Sequence, residues 1–196
     1  MKLRLLARYA ACPSAYECAP VDPNVLSPQL NRERGFDIYN EVDSRKCWLE
    51  QYKQVKHNGI VRIQCGEWHS KLTESDQMID ATLDLLERGV KIYIISGNDS
   101  RDYKIAIKKF KENHPRWSEL IRDYPDQLFF YRLNRRPNRH YTIFNNSTGY
   151  IEQKHIHGRK KETLFRRDSK FAAGLTALFT RNLGLVEPFR LRSSES

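Results

Sequence analysis

What this sequence has least of is uninterrupted apolar length. No run in its 196 residues approaches the ~18 apolar residues of a membrane span, so any membrane contact is expected to be peripheral and electrostatic. The opening MKLRLLARYAACPSA is similar in composition to a short signal peptide, but Arg4 and Arg8 break the apolar core such a peptide requires, and an N-terminal strand is expected instead. Cysteine is scarce as well. Cys12, Cys18, Cys47 and Cys65 form no C-x-x-C pair and no dense framework, which argues against a disulfide scaffold and for a reducing compartment, the cytoplasm by default. Cys12 and Cys18 with Cys47 or His57 would make a zinc set, but C-x5-C is an unusual zinc spacing and a free cysteine more often serves as a small buried apolar side chain. Neither a metal nor a cofactor is expected. Internal repeats and low-complexity tracts are absent.

The second half of the chain lacks acid. Residues 1–100 hold 13 Lys/Arg against 14 Asp/Glu, whereas residues 101–196 hold 21 against 10, so the whole basic balance of the protein sits in its C-terminal half. A polyanion would be drawn there. The densest stretch is Arg135–Asp168, in which nine Arg or Lys are interleaved with His140, His155 and His157.

Periodicity divides the chain into an irregular start and an alternating remainder. Pro13, Pro20, Pro23 and Pro28 mark an extension with little periodicity, a candidate lid or arm, and the boundary is expected near residue 43. From 44 to 196 a single α/β domain is expected. SRKCWLEQYKQVKHN reads as a helix, GIVRIQCG as a buried strand, and ESDQMIDATLDLLERG as a helix with Met78, Ile79, Leu83, Leu85 and Leu86 on one face, capped at Thr73 or Ser75 and stopped at Gly89. VKIYIISG then reads as a second buried strand, parallel to the first. A helix over 100–122 is interrupted at Pro115. Beyond it the period changes to two: LFFYRL, HYTIF, YIEQKHI and ETLFRR read as strands, with the clearest turn at Asn145–Gly149. SKFAAGLTALFTRNLG closes the chain as an amphipathic helix, with Phe171, Leu175, Leu178, Phe179 and Leu183 on one face and Asp168 or Ser169 as its cap. The sum is a mixed sheet flanked by helices.

Over residues 58–184 this order of elements resembles one half of a phospholipase D superfamily fold. The more specific likeness runs from ERGVKIYIISG through LFFYRL and NRHYTIFNNSTGYI to FRRDSKFAAGLTALFTRNL, the segment similar to the one bearing that family's H-x-K-x4-D motif. His140 stands at the histidine position, Thr142 at the lysine position and Ser147 at the aspartate position; the Gly-Ser pair expected downstream is absent, with Lys154 and His155 nearby. The resemblance implies a phosphodiester site in which histidine attacks phosphorus and lysine stabilises the equatorial oxygens. Thr142 keeps a hydroxyl but carries no charge, and losing a cation aimed at developing negative charge costs about 3 kcal/mol or more of transition-state stabilisation. Arg132, Arg135, Arg136 and Arg139 are the candidates to supply it.

His155 and His157, two apart, share a strand face and can flank His140, but Gly158, Arg159, Lys160 and Lys161 look like a turn, and histidines at a solvated hairpin end help mainly to attract an anion. Tyr131, Tyr141, Phe144 and Tyr150 alternate with the basic residues and are able to stack on bases, although aromatic residues at strand spacing more often belong to the core. The expected ligand-binding set is therefore Arg132, Arg135, Arg136, Arg139, His140, Thr142, His155, His157, Arg159 and Lys160, with His140 catalytic only in an active enzyme.

Three functions follow. The first is a catalytically degenerate phospholipase-D-like module that binds nucleic acid or another phosphate-bearing anion. In the second, the chain is an active phosphodiesterase or nuclease with a rearranged histidine site, which the family resemblance implies would work as a homodimer. A protein-interaction scaffold is the third, since fold does not fix function. VKIYIISGND also looks like a haloacid-dehalogenase motif, but the D-x-D nucleophile that family requires after an early strand is missing.

Overall fold

The computed structural model describes residues 37–39, 41–66, 68, 73–97, 103–133, 137, 140–152 and 163–188. Residues 1–36, which hold the expected N-terminal strand and most of the proline-bearing arm, lie outside them. The elements run β1 (Asp37–Tyr39), α1 (Glu41–Lys53), β2 (Ile60–Cys65), α2 (Asp76–Glu87), β3 (Lys91–Gly97), α3 (Tyr103–Asn113), α4 (Pro115–Asp123), β4 (Leu128–Leu133), β5 (Tyr141–Phe144), β6 (Thr148–Glu152), β7 (Thr163–Arg167), α5 (Ser169–Leu183) and β8 (Glu187–Pro188). The strands form one eight-stranded mixed sheet in the order β1-β7-β6-β5-β2-β3-β4-β8. β2, β3 and β4 are parallel, and every other pairing is antiparallel.

The parallel core arises where the sequence reads as near-continuous apolar strand. Val61, Ile63, Ile92, Ile94 and Ile95 are at most 4% exposed, as strands covered on both faces require. α2 connects β2 to β3. Its first turn is capped by Ser75, whose Oγ accepts the Met78 amide at 3.3 Å, and it ends at Gly89, whose φ of +75° is a left-handed conformation that glycine adopts without strain. The chain's break near Pro115 separates α3 from α4 rather than kinking one helix, with proline at the first position, where its missing N–H goes unneeded.

One face of the sheet carries α1, α2, α3 and α4 over Val61, Ile63, Ile92, Ile94, Leu128, Phe130 and Phe144. α1 is tied to α2 by a buried chain of hydroxyls. The Thr82 Oγ1 donates to the Met78 carbonyl at 2.8 Å and so accepts from the Tyr52 hydroxyl at 3.0 Å, while burial pushes the Tyr52 phenol well above its usual pKa. The Arg88 guanidinium closes the C-terminal end of α1, donating to the carbonyls of Val55 and Lys53 at 2.6 and 3.0 Å.

The opposite face carries α5, through Phe171, Ala172, Leu175 and Phe179. The helix lies so close to β6 that a Cβ on Gly149 would come within 2.5 Å of the Phe171 ring. Asp168 starts it by accepting the Phe171 amide at 2.7 Å, and that bond, followed by the nearby Arg166, holds the carboxyl below the usual aspartate range. Because its folded pKa is depressed, this contribution is complete above the unfolded value near 4 and fades as pH falls through the lower folded one. Asp168→Ala is accordingly expected to cost about 1 kcal/mol at neutral pH. Urea denaturation should show the gap between variant and parent closing below about pH 4.

Candidate functional site

The three parallel strands end together. Cys65 pairs with Ser96 and Ser96 with Arg132, while on the other side of β2 the antiparallel β5 begins with Tyr141 opposite Gln64. The chain thus leaves β2 toward β3 on one side and returns from β4 to β5 on the other, a topological switch point of the kind at which α/β sheets hold ligands. The two-residue alternation of the strands puts Cys65, Ser96, Arg132 and His140 on the face covered by α1 to α4, one row beyond the buried Ile63, Ile94 and Phe130, with Thr142 on the same face in the row of Ile63.

Glycine makes room for the imidazole. A Cβ on Gly66 would lie 3.1 Å from the His140 Nε2 and 3.3 Å from its Cε1, so the ring rests directly against the backbone that ends β2. That backbone is fixed in turn. The Gly66 carbonyl accepts from the Ser96 Oγ at 2.8 Å and from the Gly97 amide at 2.9 Å, which locks the ends of β2 and β3 together behind the ring. His140 itself is partly exposed. A partly exposed nitrogen-bearing ring at the ends of the strands has the chemistry to meet a ligand oxygen.

Thr142 has a different surrounding. It is 4% exposed, and its Oγ1 accepts the indole N–H of Trp48 at 2.9 Å, so the hydroxyl is engaged within the protein. Trp48 is in turn stacked on Tyr52 at 4.9 Å between ring centroids and tilted against Phe144 at 6.1 Å. Arg132 is 2% exposed on the same face, at the end of β4 and paired in register with Glu187 of β8. Three strand spacings separate β5 from β4, which sets the His140 and Arg132 backbones about 14 Å apart.

Of the residues expected to bind a ligand, Arg132, His140 and Thr142 therefore share one sheet face. Arg135, Arg136, Arg139, His155, His157, Arg159 and Lys160 lie outside the described residues. Of the candidate rings, Tyr141 and Phe144 are 2% and 3% exposed and belong to the core, as aromatic residues at strand spacing more often do, because β5 is covered on both faces, by α5 and by α1. The Tyr141 hydroxyl is spent inside as well, donating to the Gln64 Oε1 at 3.0 Å, the same oxygen that takes the Asn182 amide at 2.7 Å and so holds α5 to β2. Tyr131 remains partly exposed, while the side chain of Tyr150 lies outside the described residues. Cys47 and Cys65 pack against the core as free thiols, and His57 is exposed; Cys12 and Cys18 fall outside the described residues.

Sequence reading missed Gly66, Ser96 and Trp48. Two of them had a faint signal: Gly66 directly follows a buried strand, and Ser96 interrupts an isoleucine run. Trp48, 94 residues from Thr142, had none. No helix among the described residues is long and apolar enough to cross a membrane.

No protein-family model matches the sequence, and no sequence relative is found among curated proteins. Solved structures do match in fold. The archaeal chromatin protein TrmBL2, whose structure shows a novel mode of DNA binding, superposes with a TM-score of 0.59 at 12% identity, over 78% of this chain and 53% of that one. Nuc from Salmonella typhimurium, a phospholipase D family member, gives 0.52 at 11% identity over 79% of this chain and 97% of its own. NucT from Helicobacter pylori gives 0.56 at 11% over 79% and 98%. The chain thus spans about half the length of TrmBL2 and nearly all of the other two, and it has the mixed α/β fold that phospholipase D family members share.

Proposed function

We propose that this chain is a phospholipase-D-fold module that binds nucleic acid through phosphate at the His140 crevice and no longer cleaves it. The observation that carries this reading is the buried Trp48–Thr142 hydrogen bond. Where the family resemblance would put a lysine aimed at phosphate, this chain has a hydroxyl turned into its own core and roofed by α1. The basic surplus of residues 101–196 supports an anionic ligand. That TrmBL2 shares the fold and binds DNA supports nucleic acid in particular.

The experiment is a salt titration of binding to a labelled duplex, with His140→Ala in parallel. Neutralising about four phosphates gives a log–log slope near −3.6 and a loss of about a hundredfold in affinity between 50 and 200 mM salt. The His140→Ala protein is expected to bind several-fold more weakly with nearly the same slope, and neither protein is expected to hydrolyse a generic phosphodiester. Affinity indifferent to salt would overturn the reading.

A second reading, an active phosphodiesterase, is favoured by Arg132, a buried cation on the same sheet face as His140. It predicts hydrolysis that disappears in a folded His140→Ala variant, and a homodimer.

A further inference from the structure

The face of the sheet opposite His140 has its own character. α5 runs over β5, β6 and β7 and reaches β2 at the Gln64–Asn182 bond, and the Leu183 and Val186 that follow pack with Tyr93 and Tyr131 against the cluster around Ile95 and Leu133. Nearer the starts of β2, β3 and β4 this cover ends. There Arg62, Tyr93 and Phe129 stand in one register row, with Tyr131 in the next and Lys91 exposed beside them. All three rings are partly exposed.

The row is built as an unfinished stack. The Tyr93 and Phe129 rings lie face to face, 4.6 Å between centroids and 14° from parallel. Arg62 stands on the far side of Tyr93, its guanidinium donating to the Asn146 Oδ1. On the near side no strand among the described residues stands beside Phe129, since β8 meets β4 there at Tyr131 and Arg132. Planar rings prefer offset stacking at such spacings, and an exposed terminal ring offers its outer face to the next planar group.

Charge selects the occupant. β2, β3, β4, β5 and α5 contain no acidic residue at all, while they contribute Arg62, Lys91, Lys170 and Arg181. An apolar peptide would have no use for these cations, and a second copy of this basic chain would be repelled by them. Aromatic rings on an open sheet flanked by cations are the chemistry by which single strands are held, bases on rings and backbone on the positive margin. We propose that the Arg62–Tyr93–Phe129 row, with Tyr131 and Lys91, is a stacking site for the unpaired bases of a single-stranded nucleic acid. It lies on the other face of the sheet from the His140 crevice and is tested apart from it.

The test compares the wild-type full chain with Phe129→Ala, Phe129→Leu and Phe129→Trp by fluorescence anisotropy on three probes of equal length: a labelled oligodeoxyadenylate, an abasic strand with the same phosphates, and a duplex. Phe129→Ala and Phe129→Leu are expected to bind the single strand roughly tenfold more weakly, with less than about twofold change on the abasic strand and the duplex. Phe129→Trp should retain wild-type affinity, and its indole fluorescence should be quenched by the base. Leucine keeps the apolar bulk and the fold but has no π-face, so full affinity in Phe129→Leu would identify a merely hydrophobic contact and overturn the proposal. So would equal losses on the abasic strand, no binding of the single strand by wild type, or a wild-type dimer in sedimentation that Phe129→Ala converts to monomer. Salt-steep duplex binding together with single-strand binding that ignores Phe129 would leave the His140 reading standing while this one fell.

Discussion

Thr142→Lys is expected to destabilise the protein by about 3 kcal/mol or more, and not to create a phosphodiesterase. The residue is 4% exposed beneath Trp48, so the new ammonium would have to stay buried or force α1 aside. The neighbouring strands offer it no counter-charge: β2, β3, β4 and β5 carry no carboxylate. The indole N–H of Trp48 would at the same time lose its acceptor, a further cost of about 1–2 kcal/mol. For a chain of this size, 3 kcal/mol lowers the melting midpoint by roughly 6–12 °C. Thr142→Val separates the two parts. It removes only the acceptor, so it should cost about 1–2 kcal/mol, and the remainder of the lysine effect is the buried charge. Thermal denaturation of the two variants beside the parent checks this. A Thr142→Lys protein as stable as the parent that also hydrolysed a phosphodiester would show that α1 is a movable cover, and the proposed loss of catalysis would fall with it.

The contrast between position 142 and its surroundings also shows where sequence reading stops. The elements themselves were legible because each carries its own local chemistry: Ser75 and Asp168 cap, Gly89 ends a helix, Pro115 starts one, and the period changes from 3.6 to 2 after residue 127. The turn between β5 and β6 was legible too, since Asn145 and Asn146 take up φ of 50° and 57°, a left-handed conformation that asparagine tolerates well. Ser147, at the family's aspartate position, is simply the exposed third residue of that turn. What could not be read was anything set by register between distant segments. Alternation predicts that Tyr141 and Thr142 point to opposite faces, but not that both faces of β5 are covered. Nor does it reveal that Gly66 is hollowed for His140, or that Tyr93 and Phe129 align as neighbours on adjacent strands. Those facts depend on strand order, which places β5 beside β2 instead of beside β4, its predecessor in sequence.

Trp117→Ala is expected to have the largest effect on stability, a loss of about 3–5 kcal/mol. The side chain is fully buried, set edge-on to Trp68 at 4.9 Å and 89°, and its indole N–H donates to the Thr73 carbonyl at 2.7 Å. Truncation would leave a cavity against Trp68 and would strand a buried carbonyl. Trp117→Phe keeps most of the ring and loses the hydrogen bond, so it should cost only about 1–2 kcal/mol. The effect should not be uniform across the molecule. α4 clamps the chain entering α2 through three contacts: Trp117 on Thr73, the His114 Nδ1 on the Glu74 carboxylate, and Arg116 on Asp76. Trp68, two residues beyond the glycine that seats His140, is pinned between Trp117 and Phe130. Loosening this corner should therefore reach the end of β2 before it reaches the start of β4. On the proposed function, Trp117→Ala at a temperature where it remains folded should lose duplex affinity at least as strongly as His140→Ala. Its binding of an oligodeoxyadenylate through Phe129 should weaken less. Urea denaturation gives the first number and anisotropy on the two probes the second; equal loss on both would mean that the corner supports the whole sheet and not the His140 crevice in particular.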